Sequence, residues 1–216
     1  MKSVVCFGDS LTQMGFQTGG WLSLLAADFE AKADVLNRGF SGYNTEMALS
    51  YAYDFSFPSL DADSVLAIVF CFGANDAAFY GKQGVHVDKF RANVATLLKR
   101  LRVQFPRAKI ILCSPPPVHD GKYEKHCRET YDEPQSRSLE ATRKYRDAVA
   151  SIESELFDHF VDMYAAFDEA KDGALFSDGL HLSPSGNRVF YKAVAAAMKP
   201  QDFERSFAEW RSLLPK

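Results

Sequence analysis

Nothing in these 216 residues suggests a scaffold held by covalent links: there are four cysteines, Cys6, Cys71, Cys113 and Cys127, and none falls in a C-x-x-C pair. Three of them sit inside apolar runs that read as strands, which suits reduced core thiols and a cytosol-like, cytoplasmic compartment. A polybasic stripe is missing too. Lys and Arg number 25 against 28 Asp and Glu, for a formal charge of −3, so nucleic acid is not an expected partner. No stretch approaches the ~18 consecutive apolar residues that a membrane-crossing helix needs. The N-terminus passes from Met1-Lys2-Ser3 straight into a strand-like run, without the apolar segment and small-residue cleavage site of a secretion signal. Repeats, low-complexity tracts and linkers are equally absent, which leaves one folded domain, residues 1–216, as the expected organisation. A composition of 47% apolar and 25% charged residues is that of an ordinary globular protein.

What is present is an alternation. Short apolar runs at Ser3 to Phe7, Asp34 to Arg38, Ser64 to Phe72, Lys109 to Ser114 and Phe160 to Met163 are separated by longer amphipathic stretches. That pattern predicts an α/β fold in which helices cover both faces of a parallel sheet. The third and fourth runs are almost continuously apolar, as strands buried on both faces must be. Helical spacing is clear after Asp88, read as an N-cap, with Phe90, Val94, Leu97, Leu98 and Leu101 in register and Pro106 as the stop. A second helix is expected from Ser138 to Phe157, and a third from Ser183-Pro184, a hydroxyl cap followed by proline at the first helical position. Beyond Pro200, Phe203, Phe207, Trp210 and Leu214 fall in helical register, and an appended helix there would suit packing on the body or pairing into a homodimer. The stretch from Pro115 to Gln135 reads as one long irregular loop, and a loop of that length in a compact domain tends to be functional.

Chemistry concentrates where strands end. The first strand runs into Gly8-Asp9-Ser10-Leu11, which puts Ser10 at the carboxyl edge of the sheet, where open α/β folds bind ligands. Alone, the segment serves equally as a nucleophile's turn or as a helix cap. A serine hydroxyl attacks only when a base takes its proton, and the candidate base lies in Asp178-Gly179-Leu180-His181. Aspartate three residues before histidine can fold back onto Nδ1 and leave Nε2 to face Ser10; the competing reading is a surface Asp-Gly turn with an exposed histidine. A tetrahedral intermediate also needs N–H donors, each worth roughly 3 kcal/mol in the transition state. Two loops could supply them: the glycine-containing segment Asn37 to Thr45, and Gly73-Ala74-Asn75-Asp76 with its Asn75 amide. Each has a plain reading as a turn, but four such motifs all on loops that follow strands are hard to assemble by accident.

In these blocks the chain resembles the SGNH hydrolase superfamily, the GDSL esterases, which carry a serine, a glycine, an asparagine and a histidine in this order. The longer runs Asp34 to Thr45, Phe72 to Asp76 and Ser177 to Pro184 resemble the isoamyl acetate-hydrolysing subgroup, with the likeness spanning roughly Val4 to Met198. The resemblance implies a flavodoxin-like three-layer α/β/α sandwich on a five-stranded parallel sheet, with no metal or other cofactor. It implies hydrolysis of small acetate-type esters, with Ser10 as nucleophile, Asp178 and His181 completing a triad, and Ser10, Gly42 and Asn75 forming an oxyanion hole. Sugar or lipid deacetylation, acyl transfer, and a catalytically silent binding module remain as alternatives.

Weaker candidates surround this set. Asp9 is expected to order the turn at the nucleophile, and Asp9, Phe79 and Tyr80 are candidates to border the substrate. His119, His126 and Cys127 match no common zinc spacing, while His86 and His159 read as structural or solvent-facing.

Overall fold

The computed structural model describes residues 2–79, 83–168 and 173–204. Five strands, β1 (Ser3–Gly8), β2 (Asp34–Gly39), β3 (Val65–Cys71), β4 (Lys109–Cys113) and β5 (His159–Val161), form one sheet in the order β2-β1-β3-β4-β5. Every pairing is parallel. Each strand matches an expected run to within one or two residues at either end.

Alternation along each strand builds two cores. Val5 and Phe7 of β1, Ile68 and Phe70 of β3, and Ile110 and Leu112 of β4 face one layer; Val4, Cys6, Ala67, Val69, Ile111 and Cys113 face the other. The first layer is α5 (Val87–Gln104), which buries Phe90, Val94, Leu97, Leu98 and Leu101, with α7 (Leu139–Ala150) beside it. It also holds α3 (Thr45–Met47) and α4 (Tyr53–Ser56), joined through a wider π turn at Ala48–Ala52. On the opposite face lie α2 (Trp21–Asp28), α8 (Met163–Asp168) and α9 (Pro184–Met198). Trp21, Phe29, Phe167 and Phe190 fill that layer with no more than 1% of their surface exposed. The arrangement is the expected α/β/α sandwich. The four cysteines are free and buried, three of them on strands as anticipated.

Caps fix where several helices begin. Ser183 Oγ accepts from the Gly186 N–H at 3.2 Å, and Ser138 Oγ accepts from the Ala141 N–H at 3.1 Å, so α9 and α7 start as read. Helix α5 starts one residue before Asp88: His86 is its cap, and its imidazole accepts from the Asp88 N–H at 3.4 Å. Helix α7 ends at Ala150, short of Phe157, with a separate 3₁₀ turn at Ser154–Leu156.

A larger departure from expectation lies after β4. The stretch from Pro115 to Gln135 is not irregular throughout, because residues Asp120–Tyr131 form a helix, α6. Its apolar face is only Tyr123 and Cys127, and its surface carries the ion pairs Glu124–Arg128 and Lys125–Glu129 at i,i+4 spacing. A helix with only two residues facing inward shows little hydrophobic period. The tail positions Phe207, Trp210 and Leu214, like Tyr80, lie outside the described residues. Before them the chain turns through Pro200–Asp202, and Phe203 packs its ring 5.2 Å from that of Phe29. No helix among the described residues is long and apolar enough to cross a membrane.

Candidate active site

In this strand order the chain reverses its direction of winding between β1 and β3, and the loops leaving those two strands carry Ser10 and Asn75. The Asp9 side chain accepts from the Leu11 N–H at 3.0 Å and so caps α1 (Ser10–Gln13), which begins with the serine. Ser10 is 5% exposed and opens onto a cavity of about 330 Å³.

The turn from Asp178 to His181 closes on its own carboxylate. Asp178 Oδ1 accepts from the backbone N–H groups of Leu180 and His181 at 2.8 and 2.7 Å, and Oδ2 lies 2.6 Å from His181 Nδ1. Burial alone would raise this carboxyl, but the His181 ring and the two N–H groups outweigh it and hold the group well below the ordinary carboxylate range. An ionised carboxylate only accepts, so the proton of the neutral imidazole resides on Nδ1 and the lone pair on Nε2. Nε2 lies 3.1 Å from Ser10 Oγ, within reach of the hydroxyl proton across 171 residues of sequence. Gly179 makes the turn with φ +96°, and a Cβ there would meet the Tyr123 backbone nitrogen at 2.3 Å.

Two further residues that carry N–H groups line the same space. Gly42, at φ +81°, and Asn75, 4% exposed, line the cavity with Ser10. Among the described residues, no hydrogen bond engages the backbone N–H of Ser10 or of Gly42. Asn75 Nδ2 donates to Tyr43 O at 2.9 Å, which leaves the second proton of that amide for another acceptor. Beneath the loop, Asp76 accepts from the Thr45 N–H at 3.0 Å and from Thr45 Oγ1 at 2.5 Å, tying the Asn75 segment to α3. Burial is the main cause that lifts Asp76 to about 7 and Asp9 to about 6.

Two expected substrate contacts lie elsewhere. Asp9 is 1% exposed and does not reach the cavity, because its carboxylate is turned into the cap. Phe79, 53% exposed, borders a separate hollow with Val85, His86 and Tyr145. The far wall instead comes from α6 and the segment after it, through Tyr123, His126, Tyr131, Glu133 and Arg137. None of these was singled out as a cavity residue from sequence, since α6 itself was hidden and Arg137 reads there as an ordinary residue ahead of a helix. His119 caps α6, its imidazole accepting from the Lys122 N–H at 3.2 Å. No cluster of three metal-ligating side chains occurs among the described residues.

A hydroxyl, an imidazole and a carboxylate in line on an α/β/α sandwich, beside a group of N–H donors, define the class of serine-dependent hydrolases. The comparisons narrow the class. A family model described as GDSL-like lipase/acylhydrolase matches residues 6–189. A GDSL esterase/lipase of Arabidopsis thaliana is 34% identical over 206 residues, covering 91% of this chain and 85% of that protein. The isoamyl acetate-hydrolyzing esterase 1 homolog of Mus musculus is 36% identical over 194 residues, 87% of this chain and 78% of its own length. In fold, the chain is similar to the lipase/acylhydrolase from Enterococcus faecalis, with a TM-score of 0.75, 22% identity, and coverage of 96% of this chain and 100% of that one. The chain belongs to the GDSL-like lipase/acylhydrolase family, and with it to the carboxylic ester hydrolases.

Proposed function

We propose that the protein is a serine esterase that cleaves small, short-chain, acetate-type esters through an acyl-enzyme on Ser10. The observation that carries this reading is the relay Asp178 to His181 to Ser10, at 2.6 and 3.1 Å, opening onto a cavity of about 330 Å³. In the first step Ser10 Oγ bonds to the ester carbonyl carbon as its proton passes to His181 Nε2. The carbonyl oxygen becomes an oxyanion held by the N–H groups of Ser10 and Gly42 and by the Asn75 amide. Collapse of the tetrahedral intermediate breaks the bond to the alkoxy oxygen, which leaves with the proton from His181. Water, deprotonated by His181, then attacks the acyl carbon, the bond from that carbon to Ser10 Oγ breaks, and His181 returns the proton to Oγ as the acid departs.

The relatives named isoamyl acetate-hydrolyzing esterase support the acetate preference. A chain-length series of p-nitrophenyl esters from acetate to decanoate tests it: kcat/KM should be greatest at the short end, and a maximum at eight carbons or more would refute the preference. Ser10→Ala should abolish both turnover and labelling by a fluorophosphonate, whereas retention of more than a few per cent of activity would remove Ser10 from its role.

A second reading, deacetylation of a hydroxyl-rich alcohol such as a sugar, is favoured by one observation. The cavity that Ser10 lines is also lined by His126, Tyr131 and Glu133, groups suited to bonding hydroxyls. Comparing kcat/KM for an acetylated sugar with that for isoamyl acetate separates the two.

A further inference from the structure

Arg137 is 5% exposed, and it sits in the extended segment just before the Ser138 cap of α7. A guanidinium has five N–H donors, and here all five are used: Nε on Ala74 O at 2.6 Å, Nη1 on Tyr123 Oη at 2.6 Å and Ser136 Oγ at 3.0 Å, Nη2 on Asn75 Oδ1 at 2.9 Å and Gln83 Oε1 at 2.7 Å. None of these acceptors is a carboxylate. A buried cation is normally held by an ionic partner, so one bonded only to neutral oxygens is an expensive feature that simple packing does not require.

The acceptors it holds are those that aim the donors of the site. By bonding to Asn75 Oδ1 it fixes which end of that amide is oxygen, and so turns Nδ2 toward Tyr43 O and the cavity. By bonding to Gln83 Oε1 it orients the Gln83 amide, whose Nε2 donates to Gly42 O at 3.0 Å and so holds the peptide loop that presents the Gly42 N–H. Through Ala74 O it also holds the backbone immediately before Asn75. We propose that Arg137 is the positioning residue of the oxyanion hole, setting Asn75 directly and Gly42 through Gln83, so that both N–H donors are aimed before charge develops on the substrate. This rests on the esterase reading above. Preorganisation of that kind lowers the barrier because nothing has to reorient at the moment of reaction.

The competing account is that Arg137 only ties α6 and α7 to the body. The two differ in what happens when Asn75 is already gone. The readout is the second-order rate of Ser10 phosphonylation by a fluorophosphonate, which builds negative charge on the phosphoryl oxygen in the same hole and needs no knowledge of the natural ester. Arg137→Lys keeps the charge but cannot span the acceptors; Arg137→Gln serves as a second variant, and native folding is checked by near-UV circular dichroism. Arg137→Lys should slow labelling at least tenfold in the wild-type background and at least threefold less than that in an Asn75→Ala background. Equal slowing in both backgrounds would overturn the proposal. For ester hydrolysis the loss should fall on kcat, with KM changed by less than about threefold. Gln83→Leu leaves the guanidinium in place and cuts only the arm to Gly42. It should slow labelling by about threefold or more, and an unchanged rate would overturn that arm even if neither Arg137 variant folds. Absence of labelling in the wild-type protein would refute the esterase reading itself, an outcome distinct from all of these.

Discussion

Asp178 governs His181 by having nothing to donate. Its two oxygens take three N–H groups, so the imidazole is fixed both in orientation and in which nitrogen bears the proton. Asp178→Asn would present an NH₂ to Nδ1 and favour the opposite tautomer, so kcat should fall by about 10⁴-fold while the fold is retained. A loss under tenfold, measured by steady-state kinetics, would mean that the ring is oriented by something else. Asn75→Ala should lower kcat by roughly 10²-fold with a smaller change in KM, and an effect confined to KM would remove Asn75 from the oxyanion hole. That Ser10, Asp178 and His181 would meet was legible in the sequence, because the proposed nucleophilic chemistry restricts residue type and places its groups at strand ends. Arg137 and Gln83 were not. The role proposed for them depends on what they bond to across 62 and 41 positions of chain, and local sequence carries no trace of that.

At the scale of elements, the strands declared themselves through apolar runs, and α5, α7 and α9 through helical period or a capping hydroxyl. Helix α6 stayed hidden because only Tyr123 and Cys127 face inward. Yet it is the element that meets the Asp178 turn: the His119 N–H donates to Gly179 O at 2.9 Å, and Tyr123 packs where a Gly179 side chain would be. Gly179→Ala therefore adds both a strained φ and a collision with backbone, so it should lower the melting temperature and kcat together, read by calorimetry and kinetics. Normal values of both would show that α6 shifts freely. Ser183→Ala, by contrast, removes the cap of α9 and should cost about 1 kcal/mol of stability in urea unfolding, with kcat little changed.

For the whole molecule, the two buried acids Asp9 and Asp76 set a dependence of stability on pH. Their ordinary value is 3.8, and in the folded chain they titrate near 6 and 7. The folded state thus keeps protons that the unfolded state has released, so stability falls as pH rises from about 4 through about 7, by on the order of 3 kcal/mol for Asp9 and about 4 kcal/mol for Asp76. Asp76→Asn retains an acceptor for Thr45 and cannot ionise. It should be more stable than the wild type near pH 8 and no more stable near pH 4, as judged from urea midpoints; an equal difference at both would refute the assignment.

The separation of Ser10 from His181 by 171 positions also bears on how the chain is made. At ~5–20 residues per second, translation exposes the hydroxyl roughly 10–35 s before its imidazole exists. Throughout that interval the nascent chain lacks the base that the proposed mechanism requires. On the proposed mechanism hydrolysis can begin only when the turn that bears His181 docks against the loop that bears Ser10.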